Sequence, residues 1–257
     1  MLRIVADENI SLAREAFSTL ADIVLLPGRE IHRQHLRHAD ALLVRSITAV
    51  NRALLHKTDV QFVGTATIGT DHLDTDFLTE AGIAFASAAG SNANAVAEYV
   101  FTAIAHSAVE KGLTLPGSSI GIVGVGHIGG RVKKLAQALG MQVLLCDPPL
   151  QRRTGSAGYL SLEQLFEADF LTLHVPLNLT GIDKTHHLLD HRILHKLRPD
   201  VVLINTSRGA VIDNSALLEW ADRHPQATLI LDVWENEPVL DMRLLERTNW
   251  STPHIAG

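Results

Sequence analysis

Three short segments of this sequence carry side chains that could together oxidise an alcohol beside a carboxylate. They are Asn205-Thr206-Ser207-Arg208-Gly209-Ala210, Asp232-Val233-Trp234-Glu235-Asn236-Glu237-Pro238 and Pro253-His254-Ile255-Ala256-Gly257. The Arg208 guanidinium can grip a carboxylate through two parallel hydrogen bonds. The His254 imidazole titrates near neutrality, which suits reversible transfer of a hydroxyl proton. A carboxylate at its other ring nitrogen would fix the tautomer and stabilise the imidazolium. Glu237 is favoured for that task, with Glu235 two residues earlier as its competitor. Such a reaction also needs a hydride acceptor.

The acceptor is signalled upstream by Gly124-Val125-Gly126-His127-Ile128-Gly129. A strand expected over 119–123 precedes it and a helix expected over 131–139 follows, which is the setting this fingerprint requires. Gly124 permits a tight turn, Gly126 lets the backbone approach a pyrophosphate, and Gly129 lets helix and strand pack closely. The helix N-terminus, with His127 and Ile128 in the loop before it, offers unpaired N–H groups to the phosphates. Asp147, at the end of the next expected strand, can accept from the adenosine ribose hydroxyls and would repel a 2′-phosphate, which favours NAD over NADP. The plainer role for Asp147 is to start the turn into Pro148-Pro149. Asp232, at the end of another strand, is placed to hold the nicotinamide carboxamide.

The elements that position these groups read as alternating short apolar runs and helical patterns. Strands are expected at 2–5, 23–26, 41–44, 62–64 and 83–86, then at 119–123, 142–146, 170–174, 201–205 and 228–231. Most are continuous Val/Ile/Leu runs, as expected for strands covered on both faces by crossover helices. The reading is α/β, with two Rossmann-like doubly wound parallel-sheet domains and an active-site cleft between them. A substrate-binding, flavodoxin-like domain is expected over residues 1–95 and an NAD-binding domain over 96–257. A long Ala-rich helix over 94–111, ended by Gly112 and Pro116-Gly117, bridges them.

Composition narrows the function class. The 257 residues are 46% hydrophobic and 19% charged with net charge −6, and no long Lys/Arg run suggests a nucleic-acid surface. No apolar stretch approaches the ~20 residues of a membrane span. The single Cys, Cys146, allows no intrachain disulfide and fits a reducing cytoplasm. It reads as a buried strand residue. Among the 14 His, His187, His191 and His195 are expected on one helix face. An i, i+4 pair can bind metal, but Leu188 stands where the protease motif has Glu. The face is read as exposed and polar, and no metal is expected.

Taken together, these motifs resemble those of the NAD-dependent D-2-hydroxyacid dehydrogenases. The likeness shows in Val44-Arg45-Ser46-Ile47-Thr48, in the glycine fingerprint, and in the Arg208, Glu237 and His254 segments. Further segments resemble the branch that oxidises 4-phospho-D-erythronate in pyridoxal phosphate (vitamin B6) biosynthesis. They are Val5-Ala6-Asp7-Glu8-Asn9, Phe62 to His72, Leu144 to Pro149, and His254 to Gly257. The resemblance covers essentially the whole chain. It implies that Arg208, Glu237 and His254 are catalytic and that Ser46 and Thr67 touch substrate. It implies that Asp147, Thr206, Ser207, Asp232, Gly257 and, through its backbone, Val175 touch NAD. Arg45 is added as a contact for an anionic group, and turn formation is the plainer role for Ser46 and Thr67.

The resemblance also implies a homodimer in the full-length protein, with a returning helix and a dimerisation domain after the His254 loop that this sequence does not contain. The expected partner is a small phosphorylated 2-hydroxy acid, with neither nucleic acid nor membrane. Two alternatives stand beside it: a dehydrogenase for D-3-phosphoglycerate or another D-2-hydroxy acid, and an NAD-sensing binding module.

Overall fold

The computed structural model describes every residue from Met1 to Gly257. The chain forms two compact units, Met1–Ser91 and Asn92–Gly257. The expected boundary at 95/96 lies within the first turn of the long helix, whereas the observed division precedes that helix. The reason is packing: Val96, Val100 and Ile104 share a core with Ile120, Ile122 and Ile204 of the second unit.

In the first unit five strands form a parallel sheet: β1 (Leu2–Asp7), β2 (Ala21–Leu26), β3 (Ala41–Val44), β4 (Phe62–Thr65) and β5 (Ala84–Ser87). Their order is β2-β1-β3-β4-β5. The crossovers carry α1 (Ala13–Phe17), α2 (Arg33–Leu36), α3 (Arg52–Leu55) and α4 (Thr75–Glu80). Side chains alternate across the sheet: Val5, Leu42, Val44 and Val63 enter one core, while Ile4, Ala6 and Ile23 enter another. The strand order reverses between β1 and β3. In such sheets the loops leaving the switch point are where ligands bind.

The second unit contains, in chain order, α5 (Ala93–Lys111), β6 (Ser119–Val123), α6 (His127–Ala138), β7 (Gln142–Cys146), α7 (Pro148–Thr154), β8 (Phe170–Leu173), α8 (His191–Leu194), β9 (Val202–Asn205), α9 (Asn214–Arg223), β10 (Thr228–Leu231), α10 (Met242–Arg247) and β11 (Trp250–Ser251). All six strands are parallel, in the order β11-β10-β9-β8-β6-β7. Both faces are covered, which explains the continuous apolar runs. Phe170, Val202, Ile204 and Ile230 pack with α5 and α6; Leu171, Leu173, Leu203, Leu229 and Leu231 pack with Leu217 and Trp220 of α9. Ile204 is fully buried, so truncating it to Ala should cost about 2–5 kcal/mol. The switch point lies between β6 and β8. No helix is long and apolar enough to cross a membrane.

Two local expectations need correction. The helix expected over 131–139 begins at His127, directly after Gly126, because the last three residues of the fingerprint, His127 to Gly129, belong to its first turn. The three His expected on one helix face are not so arranged. Helix α8 spans only His191–Leu194, capped by the Asp190 carboxylate, and His187 lies before it in a left-handed conformation, φ 51°.

Candidate active site

The glycine loop leaves β6 beside the switch point. Gly124 has φ 86°, and a Cβ there would run into the His174 carbonyl and Val175 at the end of β8. A Cβ on Gly129 would overlap the Gly124 carbonyl oxygen, so α6 approaches the loop as closely as hydrogen permits. At Gly126 the opposite holds: nothing lies within 4 Å of where a Cβ would stand. The one glycine without a packing reason therefore faces open space at the N-terminus of α6, where backbone N–H groups gather. His127 is exposed and Ile128 half-buried there.

Asp147 holds this loop in shape. One carboxylate oxygen accepts from the Val125 N–H at 2.7 Å, the other from the Leu150 N–H at 2.8 Å as the N-cap of α7. It thus performs the turn-starting role as well. Two acceptor oxygens carry about four lone-pair positions, so capacity remains for a ribose hydroxyl.

Beyond β9, Asn205 shapes the turn that bears Arg208. Its side-chain oxygen accepts from the Ser207 N–H and hydroxyl at 3.0 and 2.8 Å, and its amide donates to the Arg208 carbonyl at 3.0 Å. Arg208 itself donates to the Ser207 carbonyl at 2.8 Å. A Cβ on Gly209 would collide with the Trp234–Glu235 backbone. The Arg208 turn therefore rests directly on the loop that carries the glutamates. Thr206 is buried and its hydroxyl has no partner. Such a buried, unpaired hydroxyl is available to a ligand.

The two glutamates separate cleanly. Glu237 accepts the Trp234 N–H on one oxygen at 2.7 Å and meets His254 Nδ1 with the other at 3.0 Å. Glu235 instead meets His187 Nε2 at 2.8 Å and accepts the Asn214 N–H at 3.3 Å. The hydrogen bond to Glu237 raises the His254 pKa against the opposing effect of burial. Burial alone would raise Glu237, but the bonds from His254 and the Trp234 N–H outweigh it and leave Glu237 below the usual range.

Asp232 has a task that sequence reasoning missed. Its carboxylate is 1% exposed and accepts from the Thr252 hydroxyl at 2.6 Å, the Ile255 N–H at 2.8 Å and the Ala256 N–H at 3.0 Å. Its carbonyl accepts the His254 N–H at 2.7 Å. Asp232 is thus the post to which the His254 loop is tied. Thr252 in turn meets the Tyr99 hydroxyl of α5 at 2.7 Å. A Cβ on Gly257 would meet Asn92 and Val96 at the start of α5. No signal in the sequence marks Tyr99 or Thr252, because a contact spanning 153 residues leaves no local pattern.

The candidates of the first unit lie on the loops after β3 and β4. Arg45 and Ser46 are exposed. Thr67 meets the Thr65 hydroxyl at 2.8 Å and donates to the Gly69 carbonyl at 3.1 Å, while Thr65 meets His72 Nε2 at 2.9 Å. Asp7, fully buried at the end of β1, accepts twice from Asn9 on one oxygen and has no partner on the other.

Comparison with known proteins fits this geometry. Residues 83–256 match the model of the D-isomer specific 2-hydroxyacid dehydrogenase NAD-binding domain. The chain is 48% identical over all 257 residues to the erythronate-4-phosphate dehydrogenases of Klebsiella pneumoniae (strain 342) and Cronobacter sakazakii (strain ATCC BAA-894), covering 68% of each. Among solved structures it is similar to D-lactate dehydrogenase from Aquifex aeolicus complexed with NAD and lactic acid, at 26% identity and TM-score 0.78 over 99% of this chain and 88% of that one. It is also similar to a glyoxylate reductase from Paecilomyes thermophila, at 28% identity and TM-score 0.80 over the same shares. With its parallel sheets, open glycine cradle and Glu237–His254 pair, the chain belongs to the NAD-dependent D-isomer specific 2-hydroxyacid dehydrogenases.

Proposed function

We propose that this chain oxidises 4-phospho-D-erythronate to 2-oxo-3-hydroxy-4-phosphobutanoate, with Arg208, Glu237 and His254 as its catalytic residues. The observation that carries the reaction class is the 3.0 Å contact between Glu237 and His254 Nδ1, on a loop anchored by Asp232. Full-length identity of 48% to erythronate-4-phosphate dehydrogenases supports the substrate. Bound NAD supplies the hydride acceptor for C2. Gly124, Gly126, Gly129, His127 and Ile128 would cradle its phosphates, Asp147 its ribose, and Val175, Thr206, Ser207, Asp232 and Gly257 the remainder.

Arg208 binds the substrate carboxylate and so fixes the orientation of C2. With Nδ1 committed to Glu237, His254 exchanges the proton of the C2 hydroxyl through Nε2. Neutral His254 accepts that proton during oxidation, and the imidazolium formed is stabilised by the Glu237 carboxylate. Ser46, Thr67 and Arg45, on the unit that we read as the substrate-binding domain, are assigned to the substrate's hydroxyl and anionic groups. We read the setting as a reducing cytoplasm, in keeping with a single, buried Cys146 that can form no intrachain disulfide. We expect the full-length protein to be a homodimer, which light scattering would read out.

The test is single-turnover NADH formation, followed by absorbance, with 4-phosphoerythronate and D-3-phosphoglycerate side by side. Turnover of the four-carbon substrate supports the proposal. Turnover of 3-phosphoglycerate alone would keep the chemistry and overturn the substrate. NAD binding with no turnover of either would favour an NAD-sensing module.

A further inference from the structure

Beside the catalytic loops, in the second unit, lies a group of side chains that the dehydrogenase chemistry does not use. His186, His187 and Glu235 each present one donor atom, and these atoms all lie within 4.8 Å of one another. The two imidazoles stack, with ring centroids 3.9 Å apart. His187 Nε2 is 2.8 Å from Glu235 Oε1, and its Nδ1 is 3.8 Å from Asp213 Oδ2. A neutral imidazole has one N–H and can donate to only one of these carboxylates, so the pair calls for a second positive charge, on the ring or on a bound cation. A cation held between Nε2 and Glu235, with Nδ1–H directed at Asp213, would satisfy all three groups. This is the carboxylate–histidine–metal pattern in which the outer carboxylate fixes the ligand's tautomer.

We infer that His186, His187 and Glu235 form a binding site for a zinc-like divalent cation, with Asp213 as the outer carboxylate. Two imidazoles and one carboxylate are a donor set that zinc favours, with a water completing four-coordination. Zn–N and Zn–O bonds of about 2.0–2.2 Å imply donor separations of about 3.3–3.6 Å, so binding would part Glu235 from His187 Nε2, now 2.8 Å away, and turn His186 out of its stack. The two imidazoles can be reached from solvent: His186 and His187 line a surface cavity of about 490 Å³. The backbone is committed to the arrangement as well. His187 holds φ 51°, its N–H donates to the Ala210 carbonyl at 2.8 Å, and Glu235 accepts the Asn214 N–H. The site joins three separate loops, of which one carries Arg208 and another Glu237. It stands on its own donors and does not depend on the substrate assigned above.

The test uses the full chain without a histidine tag, stripped with chelator and titrated with Co²⁺ (whose d–d bands report coordination) and with Zn²⁺ by calorimetry. One ion per chain is expected, with a thermal midpoint that rises on Zn²⁺ addition. Asp213→Asn, which keeps a capping oxygen for α9, should weaken binding about 10- to 100-fold. His186→Ala, His187→Asn and Glu235→Gln should each weaken it further, with Asn chosen because it tolerates positive φ. Two other pairs could compete for the ion: His191 and His195, with Nε2 atoms 3.0 Å apart, and His254 with Glu237. His195→Ala and His254→Ala should therefore leave binding unchanged. Absence of Co²⁺ bands at millimolar cobalt, or equal affinity in Glu235→Gln and His186→Ala, would overturn the site. So would loss of binding in either control.

Discussion

Replacing Gly126 with Ala should separate stability from cofactor affinity. A Cβ at this position meets nothing within 4 Å, but the backbone, with φ −76° and ψ −145°, lies outside the regions open to a residue with a Cβ. Such torsional strain costs about 1–3 kcal/mol, and a less flexible unfolded chain offsets about 0.4–1 kcal/mol of it. The apo midpoint should therefore fall by no more than about 10 °C, given ~2–4 °C per kcal/mol at this size. The bound state is different if the pyrophosphate lies against this backbone. An extra methyl in a packed contact costs about 1–3 kcal/mol, which is about 5- to 140-fold in Kd at 1.4 kcal/mol per tenfold. The assays are calorimetric titration with NAD, ADP-ribose and adenosine, and a thermal melt of the apo protein. Loss should appear for NAD and ADP-ribose and be absent for adenosine, which has no phosphate. At Gly129 the obstacle is contact, not torsion: its Cβ would overlap the Gly124 carbonyl oxygen, so Gly129→Ala should lower the apo midpoint further than Gly126→Ala. An unchanged NAD Kd in Gly126→Ala, or an equal loss for adenosine, would refute the assignment of the open cradle to the phosphates.

Other expectations follow from the same contacts. His254→Ala should abolish hydride transfer and leave NAD affinity largely intact; undiminished turnover would remove His254 from the mechanism. Oxidation requires neutral His254, so turnover should rise with pH through its raised pKa, and Glu237→Gln should move that limb to lower pH. An unmoved limb would show that Glu237 does not tune the imidazole. The pair's stability contribution has two boundaries. The part from His254, whose folded pKa is raised, is complete below its unfolded value and fades as pH rises through the folded one. The part from Glu237, whose folded pKa is lowered, is present above its unfolded value and fades as pH falls through the folded one. The difference in stability between wild type and Glu237→Gln should therefore peak between roughly pH 4.3 and 6.5. Asp147→Asn keeps a capping oxygen but removes the charge, so the preference for NAD over NADP should fall about tenfold or more; parallel loss of both cofactors would sink the ribose assignment. Thr252→Val leaves one bond to buried Asp232 unmade and should destabilise by about 1–3 kcal/mol. Tyr99→Phe should couple to it in a double-mutant cycle, and strict additivity would deny the Tyr99–Thr252–Asp232 chain.

Much of this architecture could be read from local pattern, for identifiable reasons. Strands such as Phe170–Leu173 and Val202–Asn205 are apolar on both faces because helices cover both faces, and a continuous run bounded by loops is a strong signal. The glycine fingerprint was legible because backbone collisions at Gly124 and Gly129 demand that residue type. What escaped was anything decided across distance. Glu235 and Glu237 are equally acidic in sequence, and only the fold turns one towards His187 and the other towards His254. Asp232 stands at a position that suggests a ligand contact, yet its lone pairs mostly serve the His254 loop. The His187–His195 spacing imitated a helix face because i, i+4 periodicity says nothing about where a cap such as Asp190 starts the helix.

The anchoring of His254 also bears on the order in which the second unit can assemble. Strand β11 pairs only with β10, and the Thr252 hydroxyl reaches back 153 residues to Tyr99. Loop-closure entropy grows only slowly with such a span, but the contact has nothing to close onto until β6, β8, β9 and β10 are laid side by side. The phosphate cradle needs far less, since β6, α6 and the strands flanking the switch point suffice. During refolding the chain should therefore regain binding of ADP-ribose, which the cradle and Asp147 hold, before it regains turnover, with an interval in which the cradle is filled but no base is in place. Parallel recovery of the two signals would show that the sheet forms as one cooperative unit.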